Sequence, residues 1–144
     1  MKEDKELLLQ DLCSRLPYGV KCIVTKSRTE EGQKGDIGKI VCVCLEGVDC
    51  IGDEPFFSEF GNFKPYLFPI SSMTEEQKKF FKDRPIFLDS ENELVVKEDF
   101  FGNSRFTMLE DWVEVVLWLV KNHFDYRGLI PKDLAIDATG LNIY

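Results

Sequence analysis

Apolar residues recur every three or four positions in "KELLLQDLCSRL". This places Leu8, Leu9, Leu12, Cys13 and Leu16 on one helical face, with Lys5, Gln10 and Asp11 elsewhere. Pro17 and Gly19 stop that helix. The period then drops to two: Val20, Cys22 and Val24 alternate against Lys21, Ile23 and Thr25, which predicts a strand. The polar run "SRTEEGQKGD" reads as a flexible hairpin loop. A second strand follows in "IGKIVCVCLEG", where every residue from Ile40 to Leu45 is apolar, as expected of a strand covered on both faces. "GVDCIGDEP" reads as a turn, closed by Pro55.

Further along, "FFSEFGNFKPYLFPI" arranges Phe56, Phe57, Phe60 and Phe63 around a Gly-Asn turn, after which Tyr66, Phe68 and Ile70 alternate. Pro65 and Pro69 have no N–H for a ladder, so this strand is expected at a sheet edge. "SSMTEEQKKFFKD" starts a helix, with a capping box made either by Thr74 and Gln77 or by Ser72 and Glu75. "RPIFLD" and "ELVVKEDF" read as short strands. "TMLEDWVEVVLWLVKNHF" is the main helix. Thr107 and Glu110 suggest its cap, and Leu109, Trp112, Val113, Val116, Leu119 and Val120 form its apolar face, widened by Val115, Leu117 and Trp118. Together these elements predict one α+β domain over residues 1–144. It holds an N-terminal helix, a middle helix, a long C-terminal helix and a small antiparallel sheet of about three to five strands, SH3-like or a partly open barrel.

Composition narrows the functional classes. The formal net charge is −8 at pH 7, which disfavours nucleic-acid binding, since neutralising phosphates requires clustered Lys and Arg. The N-terminal run is too short and interrupted for a signal peptide, and no apolar run is long enough for a membrane span, so a cytoplasmic protein without membrane contact is expected. Five cysteines, an odd number, then read as reduced thiols.

Candidate chemistry is sparse. "NHFDYRG" holds the only histidine, and His123, Asp125, Tyr126 and Arg127 form an alternative pocket: His123 as a base oriented by Asp125, Arg127 holding an anion. No Ser or Cys motif marks a nucleophile for that base, and a helix end finished by His123 and turned by Gly128 explains the same residues. Cys42 and Cys44, with Cys22 or Cys50 nearby, lack the two-residue spacing of common zinc knuckles, so no metal is expected. The three glycines of "EEGQKGDIGK" lack a phosphate-loop ending, and no cofactor is expected. The aromatic stretch is the more informative lead. Phe56, Phe57, Phe60, Phe63, Tyr66 and Phe68 exceed what one strand and a loop need, which suggests a protein partner or self-association. Stacking of single-stranded nucleic acid is the weaker alternative, because Asp53, Glu54 and Glu59 lie beside Lys64.

Three stretches, "LCSRLPYGVKCIV", "KPYLFPISSMTEEQKKFF" and "NHFDYRGLIPKDLAIDATGLNIY", resemble a family of small uncharacterised proteins of gut Bacteroides-type bacteria and their phages or mobile elements. The resemblance spans the first third, the middle and the C-terminal part, but not Arg84 to Phe106. It implies a bacterial cytoplasm and a prophage or mobile-element context, and it brings no activity or catalytic residue. The family pattern has a basic residue where this chain carries Phe68, so no charged role for that strand carries over. The leading expectation is a non-enzymatic protein-binding or regulatory module.

Overall fold

A computed structural model describes residues 2–26, 33–82, 84, 86–96 and 105–144. Helix α1 (Lys2–Arg15) ends in a 3-10 turn, Leu16–Tyr18, that Pro17 opens and Gly19 closes at φ 72°. Leu8 and Leu12 are buried as the spacing requires, but the face is rotated from the expected one. Asp11 and Arg15 point inward, and Cys13 is exposed.

Five strands then run antiparallel: β1 (Lys21–Val24), β2 (Ile37–Val43), β3 (Gly47–Ile51), β4 (Pro55–Glu59) and β5 (Phe63–Pro69). The alternation foreseen for β1 holds, with Val20, Cys22 and Val24 at 1% exposure or less. β3 occupies the segment expected to be a turn. Val48 and Cys50 face inward while Asp49 and Ile51 face outward, a five-residue alternation obscured by flanking Gly47 and Gly52. β2 is not covered on both faces: Gly38 and Ile40 are buried, whereas Ile37, Val41 and Cys42 are exposed. A bulge between Ile40 and Cys42 shifts the register against β3.

After β5 the expected middle helix is one α-turn, α2 (Glu75–Lys78), followed by a 3-10 turn at Lys79–Phe81. Its cap resolves the two registers in favour of Thr74. The Thr74 Oγ1 accepts from the Gln77 N–H at 3.2 Å, and the Thr74 N–H donates to Gln77 Oε1 at 2.9 Å. β6 (Ile86–Leu88) and β7 (Leu94–Val96) form a separate hairpin. The part of "ELVVKEDF" after Val96 lies outside the described residues. α3 (Arg105–Lys121) begins before Thr107, which therefore sits inside the helix and not at its cap. Val115, Leu119 and Val120 are buried, while Val113 and Leu117 are exposed, so the buried stripe is narrower than expected and set one position over.

α3 is not terminal. β8 (Phe124–Asp125) and β9 (Ile136–Asp137) follow it, and both pair parallel to β5. The sheet thus has seven strands in the order β4-β3-β2-β1-β5-β8, with β9 also on β5. It is mixed, not purely antiparallel, and it does not close into a barrel. β5 is consequently an inner strand and not an edge. The Phe68 N–H donates to the His123 carbonyl, and the Leu67 carbonyl accepts from the Ala138 N–H. Adjacent residues present their amides to opposite edges of a strand, so β8 and β9 flank β5. Pro65 and Pro69 share the parity of Leu67, and their missing donors face the side covered only by two-residue β9.

One apolar cluster joins Leu8 and Leu12 of α1 to Val20, Cys22, Ile40, Val48, Cys50, Phe63 and Leu67, on one face of the sheet. A second gathers Met73, Phe81, Ile86, Val115, Leu119 and Phe124. β3 and β4 approach so closely that a Cβ on Gly47 would lie 2.1 Å from the Ser58 carbonyl oxygen. Gly47→Ala must push the two strands apart, and urea denaturation should show a loss of about 2 kcal/mol or more. A loss below about 0.5 kcal/mol would show that the strands part freely.

Candidate functional site

The residues of "NHFDYRG" separate into three local tasks. α3 ends where His123 adopts φ 65°, the left-handed position usually left to glycine, and its backbone N–H closes the helix on Val120 O at 3.1 Å. The backbone, not the ring, thus finishes the helix. The imidazole lies flat on Tyr144, with ring centroids 3.6 Å apart and planes 8° from parallel, and its Nδ1 is buried without a partner. Burial lowers its pKa to about 4, helped by the positive charges of Arg15 and Lys21.

Asp125 accepts from the N–H groups of Leu129 (2.9 Å) and Ile130 (2.8 Å), which shapes the turn through Gly128. Arg127 Nε donates to the Tyr126 hydroxyl at 2.9 Å and stands 3.5 Å from Asp11 Oδ1. Each carboxylate oxygen of Asp125 is thus committed to backbone, and the acid that stands beside Arg127 is Asp11 of α1. The four side chains do not converge on one space.

What does converge there was missed by pattern reading. Asp11 and Arg15 are both fully buried, with Arg15 Nε 2.6 Å from Asp11 Oδ2. Arg15 Nη2 donates to the Phe124 carbonyl at 2.6 Å, tying α1 to β8. Burial raises the Asp11 pKa, and Arg15 opposes that rise. The i,i+4 spacing in "DLCSR" is the signal that reveals the pair. Beside it, the Tyr144 hydroxyl accepts from the Lys21 N–H (3.0 Å) and donates to the Tyr66 carbonyl (2.7 Å), so a side chain spans the gap where β1 has not yet begun along β5. Burial pushes the Tyr144 phenol up to about 12.

The cysteines do not gather. Cys22 and Cys50 are buried with their sulfurs 3.4 Å apart, above Gly38, whereas Cys13, Cys42 and Cys44 are exposed. Among the described residues, no three His, Cys, Asp or Glu side chains are placed to hold a metal ion, and no helix is long and apolar enough to cross a membrane.

The aromatic stretch divides between core and surface. Phe63 is buried in the first cluster, with Phe56 and Phe60 packed against it; Phe68 packs on the second, and Tyr66 is buried. Of the six, Phe57 alone is half-exposed and outside both clusters. It lies directly opposite Asp49 and so on the sheet face turned away from α1. That face is open, and it carries apolar side chains beside exposed Lys39 and Asp49. Ile37 is 43% exposed, Val41 42% and Ile51 53%, with Pro55 paired to Ile51. Val41, Ile51, Pro55 and Phe57 border a shallow recess of about 430 Å³, together with Asp49.

No family model, curated protein or solved structure matches the chain.

Two outcomes test this reading of the polar residues. Because the folded pKa of His123 lies below the ordinary 6.5, the unfolded chain binds a proton that the folded chain refuses. Stability is therefore complete above about pH 6.5 and is lost as pH falls toward 4. Relative to His123→Asn, which keeps the left-handed turn, the native chain should lose about 1 kcal/mol more between pH 7 and 5 in urea titrations, a figure discounted for partial exposure. Equal losses would show that the ring is not held neutral. Asp11→Ala strands the Arg15 charge in the core and should cost about 3–5 kcal/mol, whereas the double change Asp11→Leu with Arg15→Met should cost clearly less. Equal costs would mean that the pair is not a unit.

Proposed function

We propose that the chain is a non-enzymatic protein-binding module that receives its partner on the outer face of β2, β3 and β4. The observation that carries this reading is the open apolar row of Ile37, Val41 and Ile51, continued by Pro55 and Phe57, on the side of the sheet opposite α1. Scattered exposed apolar residues are ordinary, but a contiguous group on a regular sheet is a docking feature. Charge favours a protein over nucleic acid. The net charge is −8, and Asp49, Asp53 and Glu54 stand on or beside the face. The only aromatic of the Phe-rich stretch offered to this partner is Phe57.

In this proposal the module works in a bacterial cytoplasm, where its free thiols stay reduced, and the mobile-element context remains the one implied by the resemblance.

Site-specific photo-crosslinking in the source cells tests the reading. A benzophenone side chain in place of Ile51 should give adducts with protein, while the same group in place of exposed Glu3 on α1 should not. Absence of any adduct from Ile51 refutes a docking role for this face.

A further inference from the structure

Carboxylates border the open face at one end, and they select the chemistry of its occupant. β2 begins and β3 ends beside one opening. The turn after β3 passes so near that a Cβ on Gly52 would lie 2.4 Å from the Ile37 carbonyl oxygen. Asp36, Asp53 and Glu54, all exposed, line an open recess of about 770 Å³ there, together with Ile37, Pro55 and Phe56. Pro55 and Phe56 also border the apolar recess at Val41, Ile51 and Phe57, so the two recesses adjoin.

The charge of this end is not cancelled from within. Among the described residues, none of the three carboxylates takes part in an ion pair, although one Asp36 oxygen accepts from the Gln33 N–H at 2.8 Å. The lysines of the face stand elsewhere. Lys21 donates its ammonium to the Ile143 carbonyl at 2.8 Å, Lys64 is paired with Asp133 at 2.6 Å, and Lys39 lies opposite Ile51. Lys34 is on the turn before β2 but does not line the recess.

Resting on the docking face proposed above, we infer that its partner is a protein segment in which a lysine or arginine stands two residues from a large apolar side chain. Asp53 and Ile51 are themselves two residues apart. In an extended segment that spacing sets two side chains on the same side, about 7 Å from each other. A base held by Asp53, Glu54 and Asp36 therefore places its apolar neighbour over Ile51 and the adjoining recess. The apolar row alone would accept any oily segment, whereas the carboxylates turn away an acidic one by like-charge repulsion. The carboxylates alone would attract small cations, but among the described residues no three such groups are placed to hold a metal ion. Only a cover with both features satisfies both recesses.

Selection of random dodecapeptides displayed on phage against the full chain is the test. Enriched peptides should share Lys or Arg two positions from Ile, Leu, Val or Phe. Their affinity in solution should fall about tenfold or more with Asp53→Lys plus Glu54→Lys, and as much with Ile51→Asp, while Asp4→Lys on α1 leaves it unchanged. A selected peptide remade with Glu for its base should bind the Asp53→Lys plus Glu54→Lys chain better than the native one. That exchange separates a lost contact from a lost fold. Enriched peptides without a base, or an affinity indifferent to Asp53→Lys plus Glu54→Lys, overturn the assignment. If nothing is enriched while crosslinking from Ile51 still gives protein adducts, the basic motif is wrong and the docking face stands. No enrichment and no adducts end both.

Discussion

The arrangement turns on one buried ion pair. Arg15 is among the largest side chains without solvent exposure, and a guanidinium cannot remain charged there without a counter-charge. Asp11 supplies it from one helical turn earlier. Arg15 Nη2 donates to the Phe124 carbonyl, which lies just past the end of α3, while Nη1 is buried without a hydrogen-bond partner. Two parts of the chain that are distant in sequence, α1 and β8, are thereby held to one geometry. The pair also fixes the rotation of α1, since with Asp11 and Arg15 inward, Leu8 and Leu12 can join the core while Cys13 must face solvent. A buried pair of this kind adds little net stability over apolar residues of equal volume. Its visible consequence is the selection of one helix face over another.

From that anchor the end of α3 follows. Phe124 is held by Arg15, so the chain must reverse within the two preceding residues, and His123 absorbs the reversal at positive φ. Its ring is then directed onto Tyr144, whose hydroxyl completes the hydrogen bonding of Lys21 and Tyr66 where two strands fail to meet. The histidine that looks like a base is thus part of a structural stack. Its low pKa is a consequence of this packing and no indication of proton transfer.

These relations explain what could be read in advance. α1 and β1 are legible because each shows a full period of its own pattern, β2 because its apolar run from Ile40 to Leu45 has the length of a strand, and the Thr74–Gln77 cap because its chemistry is local. β8 and β9 are not: two residues carry no alternation, and their parallel pairing depends on where α3 delivers the chain. The proline rule misled for β5 because it counts donors without knowing which edge they face. Pro65 and Pro69 lack theirs on the edge that faces β9, which makes few demands. The apolar run from Ile40 to Leu45 suggests cover on both faces, yet a run without polar residues reports only that water is disfavoured, not that a second layer exists. Open apolar surface therefore could not be told from buried core by sequence alone, and the candidate surface became visible only when α1 was seen to cover a single side.

That surface has a composition which limits what can cover it. A permanent layer, such as a helix of the same chain, would trap Lys39 and Asp49 away from water, and an unpaired buried charge is more costly than the surrounding Ile37, Val41 and Ile51 can offset. Bare solvent, on the other hand, leaves several large apolar side chains wet. The interleaving of Ile37, Lys39 and Val41 along β2, and of Asp49 and Ile51 along β3, is suited to neither extreme. It suits a cover that brings the opposite charges with it and can leave again.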